Sequence, residues 1–128
     1  MVNVPENIKI ECLDMQRFLE ETPANDPMVL SDRLTKTNIY LARSGQLLAM
    51  VKQIQDECTN EIFVAEKADI MNMSATLAKQ YISSFLSEVN YYVNWLDRLN
   101  RAFVHSGDNI RTQMSFLKEE LRITKSGY

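Results

Sequence analysis

The chain has 128 residues, a net charge of −3, and only three glycines and three prolines, where average usage would give about nine and six. The prolines, Pro5, Pro23 and Pro27, all precede Met28, so the rest of the chain lacks the turn residues that short strands draw on. β-sandwiches, barrels and Rossmann-like units are thereby excluded, and nucleic acid is disfavoured as a partner because neutralising phosphates needs a basic face.

An apolar content of 45% suits one globular domain over 1–128. No apolar run approaches the roughly 18 residues of a membrane span. Residues 1–10 carry Glu6 and lack the basic and apolar regions of a secretory signal. The expectation is a cytoplasmic protein, bacterial or in an infected host, that does not associate with a membrane. Cys12 and Cys58 belong to no zinc spacing and are expected to be reduced and structural. Charge is uneven: residues 1–69 hold seven Lys/Arg against twelve Asp/Glu, and residues 90–128 hold six against four. An acidic front and a mildly basic back attract each other within a fold or between subunits; the alternative is two solvated faces with a chance bias.

In chain order, Ile8 and Ile10 alternate for too short a stretch to make a strand. Residues 11–21 place Cys12, Met15, Phe18 and Leu19 on one face, which predicts a short amphipathic helix. Residues 22–27, with Pro23 and Pro27, break the chain. Asp26-Pro27 is a helix start, a capping side chain followed by a proline at the first helical position. The apolar seam Leu30, Leu34, Thr37, Leu41, Ser44, Leu48, Val51, Ile54, Cys58, Ile62 and Ala65 then predicts a helix over 27–66. Residues 67–74 read as a turn ending in an N-cap at Ser74, with Met71 and Met73 at its tip; Thr59-Asn60 is a rival break.

The next seam runs Tyr81, Phe85, Val89, Tyr92, Leu96, Leu99, Phe103, Gly107, Ile110, Met114, Leu117 and Leu121. Its phase passes through Gly107 without a slip, although Ser106-Gly107-Asp108-Asn109 is turn-like in composition. One helix over 74–122 is therefore predicted, bent at most at Gly107, with Gly107 and Gly45 as places of close helix approach. The fold expected is all-α: a long antiparallel helical hairpin with a short N-terminal helix. The apolar residues off the seam, among them Ile82, Leu86, Val93, Trp95, Val104 and Phe116, predict assembly into an oligomeric bundle. The candidate subunit interface is Tyr92, Trp95, Leu96, Leu99, Phe103, Gly107, Ile110 and Met114. The alternative is a compact monomeric bundle broken at Thr59 and Ser106.

No catalytic motif is present, and neither a cofactor nor a metal is expected. His105 is the one histidine, without a second ligand at metal spacing. Phosphate-loop, dinucleotide and nucleophile-elbow motifs are missing. Glu57, Glu61 and Glu88 are the poor best case for a metal-dependent nucleotide hydrolase. The strongest polar signal is a stripe at steps of three and four on the last helix: Arg98, Arg101, His105, Asp108, Thr112, Ser115 and Glu119, flanked by Arg111, Lys118 and Arg122. Arg98, Arg101, His105, Arg111, Thr112, Ser115 and Lys118 form a candidate site for an anionic small ligand such as a cyclic nucleotide; an ordinary solvated helix face has the same composition. The cluster Tyr81, Phe85, Tyr91, Tyr92 and Trp95 reads as core or interface.

Residues Asn94-Trp95-Leu96-Asp97-Arg98-Leu99-Asn100-Arg101, followed by His105, Arg111-Thr112, Ser115 and Lys118-Glu119-Glu120, resemble a segment of short all-helical bacteriophage and prophage proteins of unassigned function. The resemblance covers residues 94–121 and carries no catalytic residue. It implies a phage or mobile-element accessory protein that acts by binding: blocking a host protein, sequestering a nucleotide, or assisting a phage complex. The leading expectation is thus a non-enzymatic, self-assembling interaction protein with a host or phage protein partner. A ligand sponge is the alternative.

Overall fold

A computed structural model describes residues 2–125 as five helices in the order α1 Glu6–Glu20, α2 Pro27–Ala65, α3 Lys67–Ile70, α4 Ala75–Ser84 and α5 Ser87–Lys125, with no strand among the described residues. α2 and α5 have 39 residues each, which makes each about 58 Å long. Gln55 pairs with Asn90, Ser44 with Asn100, and Gly107 faces Thr37 and Leu34. The two helices therefore run in opposite directions along one seam.

The start signals act as the sequence implied. Asp26 Oδ2 accepts the Val29 amide at 3.1 Å with Pro27 in the first turn, and the Ser74 hydroxyl accepts the Leu77 amide. Along α5 the seam residues Val89, Leu96, Leu99, Phe103, Gly107 and Ile110 are buried. The helix passes through Ser106 and Gly107, and α2 passes through Thr59, whose hydroxyl returns to the Gln55 carbonyl at 2.6 Å. The breaks of the compact-bundle alternative are thus missing.

Three boundaries depart from the sequence reading. First, α1 begins at Glu6, five residues early. Ile8 stands four residues before Cys12 and extends the same buried face, Ile8, Cys12, Met15 and Phe18, while Ile10 stays exposed. Second, the turn expected at 67–74 contains the single-turn helix α3, which buries Ile70. Third, the helix expected over 74–122 is interrupted at Phe85 and Leu86. Ser84 Oγ donates to the Tyr81 carbonyl at 2.6 Å, and the amides of Phe85 and Leu86 bond three residues back to Ile82 and Ser83. Side-chain bonds of this kind compete with the helical ladder. The N-terminal segment holds the joint: the Val2 amide donates to the Phe85 carbonyl, and the Val4 amide donates to Glu88 Oε2 at 2.8 Å.

α1 lies in the groove between the long helices and sits closer to α5 than to α2. It runs parallel to α5, with Lys9 at Glu88, Gln16 at Trp95 and Phe18 near Phe103. Phe18, Tyr40 and Phe103 form the centre, with ring centroids 4.9, 5.5 and 6.2 Å apart; each such pair adds about 0.5–1.5 kcal/mol beyond burial. Arg33 of α2 closes the end of α1. Its guanidinium lies 3.5 Å over the Phe18 ring, bonds the Phe18 and Glu21 carbonyls, and meets the Glu21 carboxylate at 2.9 Å. The Phe18 carbonyl also accepts the Glu21 amide, so Arg33 reinforces a helix end whose last carbonyls have few partners of their own.

Gly107 is buried on the seam. A Cβ built there meets Thr37 and Leu34 at 3.8 and 4.0 Å and the tip of Arg111 at 3.5 Å, ordinary contacts all. The close approach does not require glycine, so its helix-propensity penalty is not offset by packing. Gly107→Ala is expected to stabilise the fold by about 1 kcal/mol, read as a rise in the urea unfolding midpoint. A lowered midpoint would contradict this packing.

Candidate functional site

All seven candidate ligand residues, Arg98, Arg101, His105, Arg111, Thr112, Ser115 and Lys118, are exposed on α5. They form a convex ridge and do not converge on a point. Several are engaged by their own helix. Arg101 pairs with Asp97 at 2.8 Å and Arg111 with Asp108 at 3.2 Å. The hydroxyls of Thr112 and Ser115 donate to the carbonyls of Asp108 and Arg111, both at 3.0 Å. The grooves beside the ridge divide its members. Arg98 edges a shallow one with Gln16, Leu19 and Trp95. Ser115 and Lys118 edge an open groove of about 810 Å³ with Pro27, Met114, Leu117 and Leu121. Arg101, His105, Arg111 and Thr112 line neither. A ligand needing several convergent donors finds no cradle along this ridge.

The candidate interface residues are largely spent inside the chain. Leu96, Leu99, Phe103, Gly107 and Ile110 are buried against α1 and α2, while Tyr92, Trp95 and Met114 are half-buried. Trp95 Nε1 donates to Gln16 Oε1 at 3.1 Å and so pins α1. Tyr91, Tyr92 and Trp95 pack together with centroids 5.3–5.8 Å apart, and Tyr91 remains 59% exposed.

The titratable groups serve the fold. Among the described residues no group of three or more His, Cys, Asp or Glu side chains is placed to hold a metal ion. Glu88 is instead a clamp: one carboxylate oxygen accepts Lys9 Nζ at 2.7 Å and the other accepts the Val4 amide. Glu11 takes Arg43 Nε and Nη2, both at 2.7 Å, joining α1 to α2. The cysteines form no disulfide; Cys12 is buried and Cys58 half-buried. Burial, with Glu11 beside it, pushes the Cys12 thiol up to about 11, so it carries little thiolate at neutral pH.

The residues missed by sequence reasoning are the long side chains that bind α1: Lys9, Arg33 and Arg43. The available signal was the second apolar edge of α2, Tyr40 and Leu47 beside the seam, which faces α1; Leu47 is fully buried. Among the described residues no helix is long and apolar enough to cross a membrane. Compared with family models, curated proteins and solved structures, the chain matches none.

Both clamp carboxyls sit below their ordinary value of 4.5, Glu88 because it accepts from Lys9 and the Val4 amide, Glu11 because it accepts from Arg43. A depressed folded-state value makes a contribution that is complete above the unfolded value and is lost as pH falls through the folded one. Stability is therefore expected to drop below about pH 4.5, measured by denaturant midpoints across an acid series. The Glu11→Gln, Glu88→Gln double variant is expected to be weaker at pH 7 and flatter in acid. An acid profile that superimposes on the parent's would contradict the clamp assignment.

Proposed function

We propose that this chain is a non-enzymatic, self-assembling helical interaction protein, an accessory factor of a phage or mobile element that binds a host or phage partner in the bacterial or infected-host cytoplasm. The carrying observation is apolar surface left uncovered at both ends of the rod. At one end Val64, Met71 and Leu77 are 74%, 70% and 52% exposed; at the other Met28, Phe116 and Leu121 are 75%, 69% and 54% exposed. Apolar groups gathered this way mark contact surfaces in soluble proteins. The long helices favour the reading as well, because their ends project beyond the part of the rod that α1 covers. The resemblance of residues 94–121 to short phage and prophage proteins supports the biological setting.

Size-exclusion chromatography with light scattering tests assembly. Species at multiples of 14.8 kDa, growing with concentration, are expected. A single species of monomer mass from micromolar to millimolar concentration would overturn the self-assembly reading.

A further inference from the structure

The two uncovered ends differ in kind. At the pair spacing set by Ser44–Asn100 and Thr37–Gly107, Pro27 stands opposite residue 117, and Pro27 is the one α2 residue lining the groove on this part of α5. Residues 118–125 therefore outrun α2. The seam nevertheless continues in phase, Ile110, Met114, Leu117, Leu121, into an overhang of about 12 Å. Arg111, which pairs with Asp108, and Lys118 and Lys125 follow at seven-residue steps along one edge of α5. The overhang itself holds three basic side chains, Lys118, Arg122 and Lys125, against Glu119 and Glu120, with Arg122 paired to Glu119. The opposite end, residues 56–82, holds five acidic side chains, Asp56, Glu57, Glu61, Glu66 and Asp69, against Lys67 and Lys79. It exposes Val64, Met71 and Leu77 among them.

Electrostatics decides which ends can meet. Two overhangs packed antiparallel bring the same edge of each helix together, so Lys118 faces Lys118 of a second copy and Arg111 faces its Lys125. Packed parallel, the second α5 would have to pass through the line already taken by α2. Two acidic ends repel in the same way as two basic ones. An acidic end against a basic overhang is the one arrangement that covers apolar surface on both sides and opposes unlike charge.

We infer that the chain self-associates head to tail, the α2–α4 end of one copy docking on the α5 overhang, residues 118–125, of the next. The inference rests on the self-assembly reading and specifies its geometry. Such a contact is heterologous: each copy keeps one open end of each kind, and assembly proceeds to a ring or an open chain.

Two variants altered at exposed positions, so that each keeps its fold, test it. Lys118→Glu/Leu121→Asp disables the overhang by reversing a charge and deleting an apolar contact, and Val64→Asp/Met71→Asp disables the acidic end by deleting its apolar contacts; far-UV circular dichroism checks both. By sedimentation velocity the parent forms multimers, each variant alone is a 14.8 kDa monomer, and an equimolar mixture forms a dimer that grows no further. Raising salt from about 50 to 500 mM weakens the association on the order of tenfold. Self-association of the acidic-end variant alone would mean overhang-to-overhang pairing, and that of the overhang variant alone would mean pairing elsewhere; either overturns the inference and leaves self-assembly standing, as does a mixture that stays monomeric while the parent assembles. A monomeric parent overturns both.

Discussion

The contact between Asn100 and α2 sets the register on which the molecule depends. Half-buried Asn100 donates through Nδ2 to the Leu41 carbonyl at 3.2 Å and to Ser44 Oγ at 3.0 Å, and Gln55–Asn90 repeats a polar pair further along the seam. Two long helices with heptad-like stripes can slide by one repeat at little apolar cost, whereas a buried amide that loses its partners is penalised. This contact makes one alignment preferable. From it follow the placement of Gly107 against Thr37 and the distance by which α5 outruns α2. Ser44 and Thr37 are fully buried, yet each hydroxyl returns to its own helix, and no buried side-chain polar atom among the described residues lacks a partner.

The second constraint is that two helices alone bury too narrow a strip. α1 converts the pair into a three-helix section along the middle of the rod, where the largest fully buried side chains gather: Phe103, Ile8, Met15, Leu47 and Leu96. Charged side chains fix α1 at three points, Lys9 to Glu88, Glu11 to Arg43 and Arg33 to its last carbonyls. Exposed ion pairs of this type add little individually. Their part here is orientation, since the apolar face of α1 could otherwise rotate between α2 and α5.

Much of this was legible in the sequence. The scarcity of glycine and proline, the unbroken phase through Gly107 and the cap at Asp26 located α2 within a residue and the C-terminal end of α5 within a few, whereas the cap at Ser74 starts the short α4 and α5 begins only at Ser87. What stayed illegible has physical causes. Periodicity reports one face at a time, so α2, which contacts two helices, showed the seam toward α5 while its α1 face, Tyr40, Arg43 and Leu47, was hidden among polar neighbours. The joint at Phe85–Leu86 depends on donors from Val2 and Val4, more than eighty positions away, which no local pattern contains. The polar stripe from Arg98 to Lys118 was visible as a face, but the same spacing describes a binding surface and a solvated ridge. The course of α5 leaves the stripe a convex ridge on which Arg101, Arg111, Thr112 and Ser115 bond within their own helix. The stretch from Leu96 to Ile110 was read as a face for a second chain, because periodicity marks an apolar face without saying what covers it; within the chain Leu96, Leu99, Phe103, Gly107 and Ile110 are already buried.

The joint between α4 and α5 gives the N-terminal strand of chain a reach beyond its own length. The carbonyl of Phe85 lies in the interruption and the carboxylate of Glu88 in the first turn of α5, and residues 2–4 bond to both. Residues 2–4 therefore act as a splint across the joint, tying a stretch more than eighty positions away to the start of the chain.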